Sequence, residues 1–173
     1  DWSSDVCSSD LASTDTVEDH VIGLAKGSAF TAGESSGVVG DMLGEGGQGY
    51  VYGATYKGDQ MALKWYKPEY LQNVPRHRQN ITNLVTRRKP SHRFLWPEYL
   101  VTVQGRHEFG YLMPLRGREY ASLNALVRQE VRSSFRPLLR ACFQLAQGFR
   151  QLHLSGLTYA DISFGNAFLN PRT

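Results

Sequence analysis

Residues 43–52 read LGEGGQGYVY, and the residues after the last glycine of this run decide the fold. Gly44, Gly46 and Gly49 form the spacing G-x-G-x-x-G, which is weak information alone because two architectures use it. A dinucleotide-binding turn must open a helix, whose N-terminus receives the pyrophosphate. Here the last glycine leads instead into YVYGATY, a run of aromatic and β-branched residues suited to a pleated strand. A glycine-rich turn between two strands forms a flap whose backbone N–H groups can lie over phosphates. A plain hairpin without a ligand is the alternative at this point.

Working outward, VVGDML precedes the glycines, and MALKWY comes after YVYGATY and a turn at KGDQ. That turn has Gly58-Asp59 at its expected centre, a hairpin signal. Residues 38–66 therefore read as consecutive strands. Within MALKWY, two-residue alternation puts Lys64 on one face with Ala62 and Tyr66, and Met61, Leu63 and Trp65 on the other. A Lys among apolar residues of a central strand is costly unless its ammonium meets an anion, and a phosphate is a natural candidate. A Lys snorkelling from an edge strand is the plainer reading.

Residues 68–90 are polar and basic with apolar points at Leu71, Ile81, Leu84 and Val85, a pattern for a short helix. Two further strands are expected at Leu100–Val103 and Phe109–Leu115. The chain then turns helical, with Ser122 as a cap for SLNALVRQEV. In FRPLLRACFQLAQGFRQLHLSG, Leu138, Leu139, Cys142, Phe143, Leu145, Ala146, Phe149 and Leu152 recur at the spacing of one buried stripe. Gly156 ends that helix. Strands first and helices after indicate an α+β fold in two lobes rather than an alternating parallel sheet.

Past the long helix comes TYADISFGN, residues 158–166. A carboxylate such as Asp161 can orient a hydroxyl nucleophile, and an amide oxygen such as that of Asn166 can ligate a metal. Both suit phosphoryl transfer, which depends on positioning and charge neutralisation more than on covalent chemistry. An Asp and an Asn in an ordinary turn are the alternative.

Taken in this order, the three features resemble the protein kinase family. LGEGGQGYVY matches its glycine loop, MALK its third-strand lysine segment, and LHLSGLTYADISFGNAFLN its catalytic-loop region. The resemblance runs from Val38 to the end. It implies a small lobe over 38–113 (an antiparallel sheet plus one helix), a hinge over 114–116, and the start of a helical lobe over 117–173. It also implies ATP and Mg2+ as cofactors. Gly44, Gly46 and Gly49 would cover the phosphates, and Lys64 would hold the α and β phosphates. Val51 and Ala62 would pack on the adenine from above and Phe168 from below. Met113 falls at the gatekeeper, and Pro114 and Arg116 would offer the hinge carbonyl and N–H. Asp161 would be the catalytic base and Asn166 a magnesium ligand. The resemblance is to bacterial Ser/Thr kinases, so protein hydroxyls are the implied substrate.

Several positions depart from the family pattern. Tyr159 and Ala160 replace its usual His-Arg, which removes the partner of a phosphorylated activation loop. Ser163 gives an Asp-x-Ser form that resembles atypical kinases such as the RIO group. No Asp or Glu lies between Glu69 and Glu98, so the acid expected to pair with Lys64 is missing; Gln79, Asn80 or Asn83 would take that helix face. A nucleotide-binding pseudokinase or scaffold, or an atypical kinase acting on a small molecule, is the alternative. The metal-binding D-F-G segment is also missing, so the 173-residue chain is expected to be an inactive fragment with bare apolar surface on its last helix.

Composition sets the outer bounds. A chain 41% hydrophobic and 20% charged reads as globular, with no run for a membrane span and no signal peptide. Cys7 and Cys142 are too few for a disulfide framework or zinc site, which makes a cytoplasmic setting the default. Arg87, Arg88 and Lys89 lack interleaved aromatics and read as a solvated helix end rather than a nucleic-acid site. Residues 1–11, DWSSDVCSSDL, lack periodicity and look like a translated sequencing adapter, so they are set aside as non-native. Residues 12–37, rich in Gly, Ser, Thr and Ala, read as a flexible leader.

Overall fold

The computed structural model describes residues 23–173; the adapter-like run and the first part of the expected leader lie outside the described residues. Six antiparallel strands form the small lobe: β1 (Ala29–Ala32), β2 (Ser35–Glu45), β3 (Gly49–Tyr56), β4 (Asp59–Tyr66), β5 (Tyr99–Thr102) and β6 (Gly110–Pro114). They close into a barrel of order β1-β2-β3-β4-β6-β5. The expected antiparallel sheet is present, and it closes on itself because β1 pairs with β5 through Thr31–Thr102 and Ala32–Val101. Two helices, α1 (Pro68–Asn73) and α2 (His77–Thr86), replace the single expected one, with Pro75 between them.

The leader expected over 12–37 is also corrected from Ala29 onward. Phe30 and Ala32 alternate into the barrel and are buried, which a Ser- and Gly-rich composition conceals. Tyrosine hydroxyls inside the barrel hold this segment. The Leu24 N–H donates to Tyr52 Oη at 3.0 Å, and Tyr56 Oη donates to the Ala32 carbonyl at 2.6 Å. Buried phenols need such partners, so the leading segment is bound as well as packed.

The β3–β4 hairpin turns one residue earlier than expected. Tyr56 pairs with Asp59, so Lys57 and Gly58 are central, at φ 52° and 88°. Positive φ at both positions is the geometry that matches the strand twist, and glycine accepts it at no steric cost. The register places Tyr50, Tyr52, Ala54, Met61, Leu63, Trp65 and Leu112 inside the barrel. The opposite face of β3, β4 and β6 carries Val51, Ala62, Lys64, Tyr111 and Met113.

A second cluster joins α1 and α2 to that outer face through Tyr66, Ile81 and Phe109, with Tyr70 and Tyr111 packed against them. Beyond β6 lie β7 (Ala121–Ser122), α3 (Leu123–Val127), α4 (Phe135–Leu154) and β8 (Phe168–Leu169). Ser122 caps α3 by accepting from the Ala125 N–H at 3.1 Å. Gly156, at φ 70°, ends α4 with the Gly156 N–H on the His153 carbonyl and the Leu157 N–H on the Leu152 carbonyl. The apolar stripe of α4 is only partly covered: Leu152 is buried, whereas Leu139, Phe143 and Leu145 are exposed. Among the described residues, no helix is long and apolar enough to cross a membrane.

Two outcomes test this packing. Phe30→Ala should destabilise the chain by about 3–5 kcal/mol in urea unfolding, as for a core aromatic; a change near zero would return residues 29–37 to a leader. Burial raises the Tyr66 phenol and pushes Tyr111 up from 10.0 to about 12. A raised folded-state value stabilises fully below the unfolded value and is lost as pH rises through the folded one. Stability should therefore fall between about pH 10 and 12, by on the order of 2 kcal/mol for Tyr111, and Tyr111→Phe should flatten that decline. Lys64, lowered by burial, works in the opposite direction below its ordinary 10.5.

Candidate active site

The glycine-rich turn closes through two backbone bonds. The Gly46 N–H donates to the Gly49 carbonyl at 2.9 Å, and the Gly49 N–H donates to the Gly46 carbonyl at 3.3 Å. Gly47 and Gln48 form its tip. The three expected glycines differ in their surroundings. A Cβ at Gly49 would strike the Trp65 carbonyl, so this glycine is required by strand packing. A Cβ at Gly44 or Gly46 meets nothing within 4 Å. The packing of this chain does not demand glycine there; a ligand approaching the backbone would.

Lys64 stands on β4 between Val51 of β3 and Tyr111 of β6. Its ammonium donates to Gln48 Oε1 at 2.7 Å and lies 5.4 Å from the Tyr66 ring centroid. Burial lowers its pKa, and the nearby Asp161 carboxylate opposes that shift. Gln48 Nε2 in turn donates to Asp161 Oδ2 at 3.3 Å. Asn166 Nδ2 donates to the same Oδ2 and to the Asp161 carbonyl, both at 2.9 Å. Lys64, Gln48, Asp161 and Asn166 thus form one hydrogen-bonded chain across the cleft. It joins the glycine turn, the central strand and the loop after α4.

That loop is anchored at both ends. The α4 cap fixes its start, and the β7–β8 pairing of Ser122 with Phe168 fixes its end. Between them, the Leu123 N–H donates to the Ala167 carbonyl and the Asn124 N–H to the Phe164 carbonyl. Tyr159 packs on Phe149 at 6.0 Å between ring centroids, and burial with the Asp161 charge raises its phenol. Asp161 and Asn166 remain exposed.

The remaining expected site residues lie on β3, β4, β6, the segment after β6, and β8. Val51 and Met113 are half-buried and Ala62 is buried, all on the face that carries Lys64. Pro114 is the last residue of β6 and pairs with Met61, so the strand runs one residue into the expected hinge. The Arg116 guanidinium lies 4.6 Å from the Phe168 ring centroid and donates to the Tyr120 carbonyl. Phe168 stays exposed and takes a cation-π contact from the hinge side.

The partner expected for Lys64 on α2 is corrected. Gln79 and Asn83 bond each other at 2.9 Å on the exposed side, and Asn80 is exposed. The α2 residue near Lys64 is His77, whose pKa is lowered by burial and then by the Lys64 charge. His77 packs edge-on against Tyr66 at 4.4 Å and Tyr70 at 5.2 Å, and its Nε2 is buried without a hydrogen-bond partner. Gln48 was missed by sequence reading. Its one signal was a polar residue at the tip of a glycine loop beside a Lys with no acid to meet.

The donor set fits a nucleotide with a hard cation. With its nitrogen engaged by Asp161, the Asn166 amide presents its oxygen, the atom type magnesium prefers alongside carboxylate and phosphate. Among the described residues, no cluster of three or more His, Cys, Asp or Glu could hold a metal by itself, so phosphate oxygens would have to complete the shell.

No family model matches the sequence, and no curated protein matches it. Solved structures match the fold. The crystal structure of the Mycobacterium tuberculosis PknI kinase domain aligns with a TM-score of 0.64 at 18% identity, covering 86% of this chain and 61% of that one. A double-mutant form of the same domain aligns with a TM-score of 0.65 at 18% identity, with the same coverage of 86% and 61%. The chain thus spans about three fifths of the kinase domains it matches. Its fold is that of a protein kinase domain: the barrel lobe and the first helices of the lobe below.

Proposed function

We propose that the whole protein transfers the γ-phosphoryl group of ATP, with Mg2+, to Ser or Thr hydroxyls of protein substrates in the cytoplasm. The observation that carries this reading is the hydrogen-bonded chain Lys64–Gln48–Asp161–Asn166, set in a kinase fold beneath a glycine turn with two bare positions. Lys64 binds the α and β phosphates. Gly44 and Gly46 let the turn approach the phosphates closely. Val51, Ala62 and Phe168 hold the adenine, with Met113, Pro114 and Arg116 along its edge. Asn166 holds Mg2+, which when bound neutralises phosphate charge. Asp161 orients the substrate hydroxyl and accepts its proton as the oxygen–phosphorus bond forms and the β–γ bridging bond breaks, releasing ADP.

A second reading, a nucleotide-binding pseudokinase, is favoured by one observation: Lys64 is held by an amide instead of a carboxylate. Catalysis separates the two. In the whole protein, Asp161→Ala should lower phosphate transfer by about 10²–10⁴-fold with an unchanged circular dichroism spectrum, and Lys64→Met should bring it to background. Full activity in Asp161→Ala would remove Asp161 as the base.

The glycines supply an independent check on nucleotide binding. Gly46→Ala should leave stability within about 0.5 kcal/mol while weakening Mg·ATP binding in calorimetric titration. Gly49→Ala should cost about 1–3 kcal/mol in unfolding, since the new methyl meets the Trp65 carbonyl. Undiminished binding by Gly46→Ala would count against the turn as a phosphate cover.

A further inference from the structure

Gln48 is the cleft residue to which the kinase resemblance assigns no role. It is half-buried at the tip of the glycine turn, and its backbone is fixed because the Lys67 N–H donates to its carbonyl at 3.0 Å. From that anchor its amide reaches in both directions. Oε1 accepts from Lys64 Nζ at 2.7 Å, and Nε2 donates to Asp161 Oδ2 at 3.3 Å. The helix that would otherwise hold the lysine cannot: the sequence has no acid between Glu69 and Glu98, and α2 brings His77 toward Lys64 instead.

We propose that Gln48 is the positioning residue of the phosphate site, its amide holding the Lys64 ammonium and the Asp161 carboxylate together in place of a helix carboxylate. The inference rests on the kinase reading above and deepens it. The amide is suited to the task because it is neutral. It orients Lys64 without cancelling the charge that phosphate needs, and it occupies one of three ammonium donors, leaving two for phosphate oxygens. The bonds from Gln48 and Asn166 both fall on Asp161 Oδ2, which leaves Oδ1 to receive a hydroxyl proton. Because Gln48 belongs to the turn that covers the phosphates, closure of the turn and alignment of both groups become one event.

The test has two readouts. In the nucleotide-free chain, acylation of Lys64 by an amine-reactive reagent, read by mass spectrometry, should accelerate several-fold in Gln48→Ala and in the near-isosteric Gln48→Met. Losing the acceptor frees the amine, whereas a purely structural tip would leave this rate unchanged. In titration with Mg·ATP, both variants should bind about tenfold more weakly at unchanged melting temperature, as for loss of a hydrogen bond to a charged group. Gln48→Glu should not restore binding, because its carboxylate opposes Asp161 and offsets Lys64. An unchanged acylation rate, or Mg·ATP binding as tight as wild type in Gln48→Ala, overturns the proposal. If instead wild type and Lys64→Met bind Mg·ATP equally, the nucleotide site itself is refuted, while the acylation result still decides whether Gln48 holds Lys64.

Discussion

An ammonium on the outer face of the barrel's central strand is the constraint around which this cleft is organised. Lys64 has neighbours on both sides in the sheet and has lost much of its water, so only a dipole or an anion can hold its charge. The strand's alternation makes that placement unavoidable. Leu63 and Trp65 must enter the barrel, and Lys64 must then face outward, under the glycine turn and toward the loop that carries Asp161. What reaches the lysine is an amide from above and a carboxylate field from below. The two anchors of the 157–167 loop, the α4 cap and the β7–β8 pair, therefore serve the lysine as much as the loop.

The surroundings of Lys64 deepen its dependence on Asp161. In a more usual arrangement a helix would bring an acid to this lysine. Here α2 begins with His77 among Tyr66, Tyr70 and Phe109, and Arg76 and Arg78 flank it. Desolvation keeps the imidazole toward its neutral form, and the Lys64 charge adds to that effect. The wall is thus aromatic along its length, and its helix side brings basic side chains but no acid. An ammonium beside it gains a modest attraction from the Tyr66 face, but no countercharge. Among the described residues, the negative charge acting on Lys64 is that of Asp161 in the loop below, and burial first and the Asp161 charge second raise Tyr70 and Tyr159.

Local chemistry was legible in the sequence, and long-range closure was not. The glycine spacing with YVYGATY directly after it identified a strand–turn–strand unit, and alternation set the face of Lys64. Ser122 and Gly156 marked helix ends that the hydrogen bonds bear out. Each of these signals lies within a few residues of its consequence. Barrel closure depends on Ala32 meeting Val101, and the leading segment is held by hydroxyls of Tyr52 and Tyr56, partners far away in sequence. Its Gly- and Ser-rich composition resembles a linker because only two of its strand positions face the core. The α4 stripe was legible as a pattern but not as burial, since periodicity says which face is apolar and not what covers it. The shift at Lys57-Gly58 is of the same kind. Gly-Asp is the commoner hairpin pair, yet it is the strand register that decides which residues turn.

Gln48 stands between these two cases. It lies inside a recognised motif, yet its role depends on an acid that α2 does not carry. Missing acids between Glu69 and Glu98 first look like loss of function, because an unpartnered lysine is poorly aligned. An amide changes the electrostatics of that comparison. A carboxylate partner fixes a lysine strongly and offsets part of its charge, so phosphate must compete with it. An amide fixes it less strongly and offsets none. The site exchanges rigidity of the lysine for a holding partner that leaves its charge uncancelled, and it recovers alignment by borrowing it from the turn. Alignment then depends on the turn, so the missing helix acid shifts the hold on the lysine from α2 to the glycine turn.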